Sequence, residues 1–282
     1  MLLPICKFTS TKLEFISFRG NFWQQIMTLL PPTPTQQKHI DKQLPPDPEM
    51  RKQDIRAIRE WLSKQPHLPN HMDNGRLERF LYGCKNSVER CKLILERYFS
   101  VRTSLPEFFA VRDPLSRDIQ DCCDAINNLP STRDYFVLPS LSDEGYRVTV
   151  LRVRDTNPEK FSIQAIARRI LMVLDIRLAE ETCLSNIMII DLQFHIHNGG
   201  GEELYAYMNK DILPNEWGGK AGTLRELNAA WRERIEKNRD WFLREEKLSR
   251  ADESARLPDS KPLSLLMELE GIQGTFRKLN ID

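Results

Sequence analysis

Two histidines two positions apart are the first residues in this sequence whose spacing could do chemistry. His195 and His197 could be two zinc ligands, with Asp191 close in the chain and Glu202 and Glu203 beyond. The same spacing is typical of surface or hydrogen-bonded histidines at the end of a strand. We therefore expect no metal site. A metal-dependent hydrolase is kept as a third hypothesis, which bound zinc would support.

Other patterns for catalysis or phosphate binding are weaker still. The glycines from Gly199 to Gly201 lack the GxGxxG or GK[ST] context of a phosphate-binding loop, so a flexible turn is predicted. No serine, cysteine or histidine stands in a nucleophile motif, and no paired carboxylates are indicated. The sequence therefore predicts a protein that is not an enzyme and uses no cofactor.

Charge excludes some partners and leaves one open. Lys and Arg total 41 against 40 for Asp and Glu, so there is no global field to attract nucleic acid. A local group of arginines could contact phosphoinositide head groups at a membrane surface, although a solvated polar face has the same composition. This group consists of Arg147, Arg152, Arg154, Arg168 and Arg169.

Cysteine content and hydropathy indicate a cytoplasmic protein. The six cysteines show no paired metal spacing, and adjacent Cys122 and Cys123 favour reduced thiols over a disulfide framework. Charged residues interrupt the first 26 residues, which make a poor secretory signal, and Met27 is an alternative start. No stretch approaches the roughly 20 apolar residues that a bilayer span requires.

Proline and apolar spacing divide the first third of the chain. Six prolines from Met27 to Pro48 predict a linker or extended arm. From Pro48 to Phe109 the apolar residues recur at helical spacing, which predicts three short amphipathic helices packed on one another. Asp47 is placed to cap the first helix, and Asn86 or Ser87 begins the third. Glu89 is placed to close a capping box on Asn86.

The middle of the chain changes to a strand, helix, strand pattern. Tyr146 to Arg154 is rich in β-branched residues after the turn signal SDEG. A continuous apolar helical face runs from Ile163 to Leu178. The run NIMIIDL, Asn186 to Leu192, is typical of a strand covered on both faces. Together they predict a right-handed βαβ unit.

The last third is predicted to be helical and then polar. ELYAYMNK predicts a short helix, and Thr223 and Glu226 predict a capping box for a long helix that extends through Phe242. Beyond Arg250 the sequence is polar to about Lys261, which predicts a loosely held segment.

Several motifs in this order resemble the CRAL-TRIO family, which includes retinaldehyde-binding and alpha-tocopherol transfer proteins, and are close to its arthropod branch. REWLSKQPHL, RLERFLYGCKNSVERCK and LPEFFAVRDP resemble the family's N-terminal helical domain. LPSLSDEGYRVTVLRVRDTNPEKFS and IMIIDLQ resemble the opening of its lipid-binding domain. ILPNEWGGKAGTLRELNAAW resembles its closing segment, and GIQGTFRKLNID resembles an arthropod C-terminal tail.

The sequence departs from the family after Gln193. In the family the strand is followed by a helix, another strand, a mobile gate helix and a further strand before the His-x-His region. Here Phe194 and His195 follow Gln193 directly. At roughly 30 residues for each βα unit, at least two units are missing, through a splice variant or an error of annotation.

The resemblance implies an α/β fold, with an N-terminal helical domain followed by a truncated lipid-binding domain that has a small mixed sheet and a C-terminal helix. The predicted boundaries are an extension and proline-rich arm at 1–47, the helical domain at 48–114, the truncated domain at 115–222, and the C-terminal helix and polar tail at 223–282. We expect a monomer.

A lipid carrier needs a concave apolar wall, because affinity comes from removing hydrocarbon from water. The predicted wall joins one face of the helix to alternating strand residues, and these positions match the family's lining positions, although an ordinary core has the same pattern. It consists of Leu151, Val153, Ala167, Ile170, Leu174, Met188 and Ile190.

Two hypotheses follow from the resemblance. The first is noncatalytic binding and intermembrane transfer of a hydrophobic small molecule, such as a tocopherol, a retinoid or a phosphoinositide-like lipid, with peripheral contact to phosphoinositide-containing membranes. The second is an incompetent truncated product that acts at most as an interaction module.

Overall fold

The computed structural model describes residues 29–43, 47–117, 119, 133–153, 163–181, 186–191 and 202–258. Contacts divide the chain into two compact units. The helical unit comprises 46–116, 163–182 and 239–282, and the sheet unit comprises 1–45, 117–162 and 183–238. The histidine pair His195 and His197 and the glycines 199–201 lie outside the described residues.

The helical unit contains six described α-helices. They are α2 (Pro48–Ser63), α3 (Asn74–Gly83), α4 (Val88–Ser104), α5 (Pro106–Phe109), α6 (Ile163–Glu180) and α8 (Arg239–Leu248). The core is formed where the apolar stripes of α2, α3 and α4 meet, with Ile58, Leu81 and Leu95 fully buried. Leu178 of α6 packs against the same core. The predicted helical pattern from Pro48 to Phe109 is confirmed.

Capping residues begin these helices where the sequence predicts, with one correction. The Asp47 carboxylate accepts a hydrogen bond from the backbone N–H of Met50, with Pro48 in the first turn. Helix α4 is capped by Ser87, whose hydroxyl accepts from the N–H of Arg90. The predicted capping box between Asn86 and Glu89 is therefore wrong. Asn86 takes a positive φ of 58°, which ends the preceding turn and does not start a helix.

The sheet unit holds a small mixed sheet, as predicted. Its strands are β1 (Arg133–Leu141), β2 (Arg147–Val153) and β3 (Asn186–Asp191), in the order β1-β2-β3. Strands β1 and β2 are antiparallel, and β2 and β3 are parallel. Helix α7 (Leu224–Lys237) packs against β1, where the Trp231 indole N–H donates to the carbonyl of Val137 at 2.8 Å.

Part of the predicted proline-rich arm is a helix, α1 (Pro34–Gln43). Pro34 needs no N–H partner at the first helical position. Thr33 and Gln36 cap the helix reciprocally, at 2.9 and 3.3 Å. The Gln36 amide also donates to the carbonyls of Leu141 and Ser142, which ties the helix to the end of β1. The prediction of an extended arm is wrong here because no proline interrupts residues 35–43.

The turn between β1 and β2 depends on Gly145. Its φ is +84°, and a Cβ there would lie 2.7 Å from Cγ1 of Ile40 on α1. Glycine tolerates both the left-handed backbone and the close approach, which an L side chain would not. The SDEG turn signal is thus explained by the packing of α1.

Strand β3 is not covered on both faces, which corrects the sequence prediction. Met188 is 48% exposed and Ile190 is 56% exposed, whereas Ile187 and Ile189 are half-buried. Within the described residues β3 pairs with β2 alone and lies at the edge of the sheet. A run of apolar residues predicts a strand but does not show which of its faces finds a neighbour.

The predicted long helix through Phe242 is two helices. Helix α7 ends at Lys237 and is capped by Asn238. The side-chain amide of Asn238 donates to the carbonyl of Arg234 at 2.9 Å, so it pairs one of the last carbonyls of the helix. Phe242 lies in the separate helix α8. ELYAYMNK is likewise different from the prediction, because Glu202–Ala206 forms a 3₁₀ turn in place of an α-helix.

The residues after Arg250 are held firmly as far as the structure describes them. The backbone N–H of Ala251 donates to the carbonyl of Phe99. The backbone N–H of Asp252 donates to the carbonyl of His67 at 2.8 Å. Arg256 donates to the carboxylate of Glu96 at 2.7 Å. These contacts overturn the prediction of a loosely held segment for residues 251–256.

Candidate functional site

The candidate site is an apolar cleft of about 450 Å³ in the helical unit, between α4 with α5 on one side and α6 on the other. This volume lies in the range of small-molecule sites, about 300–1,000 Å³. The residues that line the α4–α6 cleft are Ile94, Arg97, Tyr98, Val101, Arg102, Phe109, Leu171, Leu174, Asp175 and Leu178.

Helical spacing puts these residues on two facing stripes. On α4 the lining positions recur at three- and four-residue intervals from Ile94 to Arg102, beside the stripe that Cys91, Leu95 and Phe99 bury in the core. On α6 the same intervals connect Leu171 to Leu178. Each helix therefore presents one face to the cleft. The three- and four-residue spacing in the sequence is enough to identify that face.

One wall of the cleft ends in a buried carboxylate. Asp175 of α6 accepts hydrogen bonds from the guanidinium groups of Arg102 and Arg112. The Tyr98 hydroxyl lies 3.4 Å from the same carboxylate. The side chains of Arg112, Arg102 and Asp175 are only 1%, 7% and 8% exposed, so these charges interact with little screening by water.

A second buried carboxylate continues the network. Glu245 of α8 accepts two hydrogen bonds from Arg76 at 3.0 Å and one from the Ser249 hydroxyl at 2.6 Å. Its other oxygen lies 3.7 Å from His71. Arg76 also donates to the Tyr98 hydroxyl at 3.3 Å, which connects the two carboxylates through Tyr98.

The surroundings fix the protonation of these groups. Burial and the neighbouring Asp175 raise the pKa of Tyr98 to about 12, so the phenol keeps its proton. Burial would raise the pKa of Glu245, but the nearby His71 and the hydrogen bonds from Arg76 and Ser249 outweigh this effect and hold the pKa below its usual range. Burial lowers the pKa of Arg112, and the neighbouring carboxylate of Asp175 offsets this shift only in part.

The network carries more guanidinium groups than carboxylates. Arg76, Arg102 and Arg112 face the two carboxylates Asp175 and Glu245. Nε of Arg102, and Nε and Nη1 of Arg112, are buried without a hydrogen-bond partner among the described residues. The Arg102 guanidinium instead lies over the rings of Tyr98 at 4.1 Å and Phe109 at 4.8 Å. The Arg102 guanidinium is therefore held by one carboxylate and by the faces of two aromatic rings.

The residues of the predicted wall fall on both units. On α6, Leu174 lines the cleft and is 41% exposed, whereas Ala167 and Ile170 are half-buried and do not line it. In the sheet, the parallel register places Leu151 beside Ile190, and Met188 lies two residues away on β3. Val153 ends β2, and its side chain lies outside the described residues. Their role as ligand-lining residues stays a prediction.

Two residues of the predicted basic group are buried. Arg147 is 2% exposed and donates to the carbonyls of Leu30, Leu138 and Pro139. Arg169 is 5% exposed. Arg168 is half-buried, with a hydrogen bond to the carbonyl of Glu107, and Arg154 lies outside the described residues. Arg147 and Arg169 are therefore not exposed for contact with a membrane surface, and head-group binding by this group of arginines stays a prediction.

Sequence reasoning missed the charged network. Its signals were Asp175 in the otherwise apolar run LMVLDI and the buried arginines on helices of otherwise ordinary pattern. Sequence could not pair them, because Arg76 and Glu245 are 169 residues apart. No cluster of three His, Cys, Asp or Glu side chains able to hold a metal occurs within the part of the chain that the structure describes.

Comparisons with known proteins match residues 47–119 to a family model and about half of the chain to curated relatives. Residues 47–119 match the family model described as Pinta-like, UBA domain. Over 151 residues, or 53% of the chain, the sequence is 28% identical to the proteins called alpha-tocopherol transfer protein-like of Homo sapiens and Pongo abelii. The corresponding mouse protein, from Mus musculus, is 27% identical.

The matched stretch spans about two fifths of the length of these relatives, 42% in human and 41% in mouse. The similarity agrees with the predicted relationship to the CRAL-TRIO family, and the arthropod branch and the internal deletion stay predictions. None of the helices among the described residues is long and apolar enough to cross a bilayer.

Proposed function

We propose that this chain is a noncatalytic protein that binds a hydrophobic small molecule, such as a tocopherol, a retinoid or a phosphoinositide-like lipid, and transfers it between membranes. The observation that carries the proposal is the apolar α4–α6 cleft of about 450 Å³. Similarity to alpha-tocopherol transfer protein-like relatives supports it.

The energetics of such a site are favourable. Burying roughly 400 Å² of ligand hydrocarbon contributes about 10 kcal/mol at 25 cal/mol per Å², before the costs of association. The seven residues of the predicted wall, three in the helical unit and four in the sheet unit, are each proposed as ligand contacts. The internal deletion after Gln193 reduces transfer relative to a full-length protein, because it removes walls that would seal the ligand from water.

Extraction from vesicles tests the proposal. Vesicles that contain fluorescent tocopherol are incubated with the protein and sedimented, and the ligand in the supernatant is measured. We expect the wild type to hold ligand and Leu171→Arg to lose at least tenfold, because the charged side chain would occupy the cleft. Leu93→Arg is the matched control on exposed α4 surface outside the cleft. Absence of extraction by the wild type would reject the proposal.

Membrane contact is a separate part of the proposal. The contact is peripheral. Within the predicted basic group, Arg147 and Arg169 are buried, so we expect the half-buried Arg168 to contribute to recognition of the phosphoinositide head group. Arg168→Glu should halve or further reduce binding to vesicles that contain phosphatidylinositol bisphosphate, whereas binding to neutral vesicles should not change. Equal binding of the wild type and of Arg168→Glu to the anionic vesicles would reject the proposed head-group contact.

A second candidate function is an incompetent shortened product that acts only through contacts with other proteins. The exposed apolar side chains of Met188 and Ile190 at the described edge of the sheet favour it. Failure of ligand extraction, together with a shift to larger species that Ile190→Lys abolishes, would favour this alternative.

A further inference from the structure

We propose that the α4–α6 cleft selects an uncharged, hydrocarbon-rich molecule of about 15–20 non-hydrogen atoms over molecules with an ionised head group. This inference rests on the proposed function, since it names the ligand class of the same cleft. Two observations carry it. The polar side chains of the lining are already committed to one another, and the volume of the cleft limits how much hydrocarbon it can bury.

The surface of the cleft is almost wholly apolar. Helix α4 supplies Ile94 and Val101 to it, and α6 supplies Leu171, Leu174 and Leu178. Aliphatic side chains bind a hydrocarbon by removing it from water, and they offer it no hydrogen bond. A polar group of a ligand would therefore need a partner among the few polar residues of the lining.

The central charged pair of the lining is closed to a ligand. Asp175 accepts hydrogen bonds from Arg102 and Arg112, and its side chain is buried. The Arg102 guanidinium packs on the rings of Tyr98 and Phe109, and its Nε is buried. These two charges therefore satisfy each other beneath the apolar surface and do not offer a site for a head group.

The other two polar residues of the lining, Tyr98 and Arg97, are also engaged. The Tyr98 hydroxyl accepts from Arg76 at 3.3 Å, and its own proton is directed to the Asp175 carboxylate, 3.4 Å away. Arg97 has a partner of its own. A carboxylate or an ammonium group that entered the cleft would therefore lose its hydration without gaining a hydrogen bond, which disfavours head groups of either charge.

The volume of the cleft limits the size of the ligand. An apolar cavity of about 150 Å³ holds one benzene molecule. The cleft, at about 450 Å³, has about three times that volume and so accommodates roughly 18 non-hydrogen atoms. A longer molecule would leave part of its hydrocarbon in water, where further methylene groups add little to the affinity.

Three molecules with the same hydrocarbon chain test the selection by charge. Methyl dodecanoate, dodecanoate and dodecylammonium are titrated below their aggregation concentrations into the full chain, by displacement of the uncharged fluorescent probe Nile red. We expect methyl dodecanoate to bind at least tenfold more tightly than either ion, because each ion must keep its head group in water. A smaller preference would overturn the selection and leave the proposed function standing. Binding of none of the three would overturn both.

A series of methyl esters tests the limit of size. From methyl octanoate to methyl dodecanoate, each added pair of methylene groups should tighten binding roughly tenfold, because the cleft is not yet full. Methyl hexadecanoate, with about 19 non-hydrogen atoms, fills the cleft, so methyl octadecanoate should bind less than twofold more tightly. A larger gain at this last step would overturn the size limit.

Two tryptophan variants test whether the esters bind in the cleft. Leu174 and Val101 line the cleft from different helices, and a larger side chain at either position would occupy volume that the ligand needs. Leu174→Trp and Val101→Trp should each weaken binding of methyl hexadecanoate at least tenfold and of methyl octanoate far less. Leu93→Trp, at a 39% exposed position on α4 outside the cleft, should bind both esters like the wild type. The inference is overturned if neither cleft variant differs from Leu93→Trp, with circular dichroism unchanged.

Discussion

The core of the helical unit and the edge strand of the sheet unit place similar residues in opposite environments. In the helical unit, apolar side chains form a continuous core, and the buried charges of Arg76, Arg102 and Asp175 are paired. In the sheet unit, two apolar side chains of β3, Met188 and Ile190, are about half exposed. The difference shows that residue type alone does not determine burial, which requires a neighbour of matching shape or charge.

The central and edge strands of the sheet show the same lesson at smaller scale. Val148 and Val150 of β2 are fully buried, and even Arg147 is 2% exposed, in a strand that has a neighbour on each side. Strand β3 has a similar composition but one described neighbour. Exposed apolar strand edges favour pairing with other chains.

The largest predicted effect sharpens the contrast by removing a buried charge from the helical unit. Asp175→Asn should lower the free energy of unfolding by about 3–5 kcal/mol, because Arg102 and Arg112 would then be buried without a carboxylate. Urea denaturation followed by circular dichroism measures it. Asp113→Asn, which breaks the more exposed pair with Arg239, is the control and should cost far less. Equal losses would show that the buried network is not stabilising.

The second prediction compares two leucines two positions apart on α4. Leu95 is fully buried in the core, and Leu93 is 39% exposed. Leu95→Ala should cost about 2–5 kcal/mol through lost burial and a residual cavity. Leu93→Ala should cost about 0.5 kcal/mol. Thermal and urea unfolding of both variants measures the two losses. A larger loss for Leu93→Ala than for Leu95→Ala would contradict the described orientation of α4.

The third prediction uses acid to weaken the helical unit. Since the folded pKa of Glu245 lies below its ordinary value of 4.5, its contribution to stability is present above that value and is lost as the pH falls toward the folded pKa. The free energy of unfolding should therefore fall with a slope approaching about 1.4 kcal/mol per pH unit from this group. Glu245→Gln should be less stable at neutral pH and show a smaller slope. An unchanged slope would remove Glu245 as the cause.

Local patterns in the sequence predicted most of the helices. Asp47 and Thr223 were identified as caps because a capping side chain and its partner lie within three residues. The same signal at Thr33 and Gln36 was hidden by the prolines around it, and α1 was missed. The break at Asn238 was missed because the apolar period continues from Ile235 into α8.

The candidate site was less predictable, because it depends on which distant residues meet. Periodicity identified the apolar face of α6 and with it Leu174, but not that Leu174 would share a cleft with Val101 and Phe109. Nor does any local rule pair Asp175 with Arg102, 73 residues away. Sequence reasoning can thus specify the stripe on a helix but not the partner of that stripe.

The smallest predicted effect tests the edge of the sheet unit. Ile190→Lys should change the free energy of unfolding by less than about 1 kcal/mol, because the side chain is already 56% exposed. It should raise by a few fold the protein concentration at which light scattering begins on warming, since a lysine at a strand edge opposes pairing between copies. Leu248→Lys, at a 45% exposed position on α8, adds the same charge away from any strand and should have a smaller effect. If the two variants raise the threshold equally, added charge and not the β3 edge is responsible, and the contrast between the units would then rest on the helical unit alone.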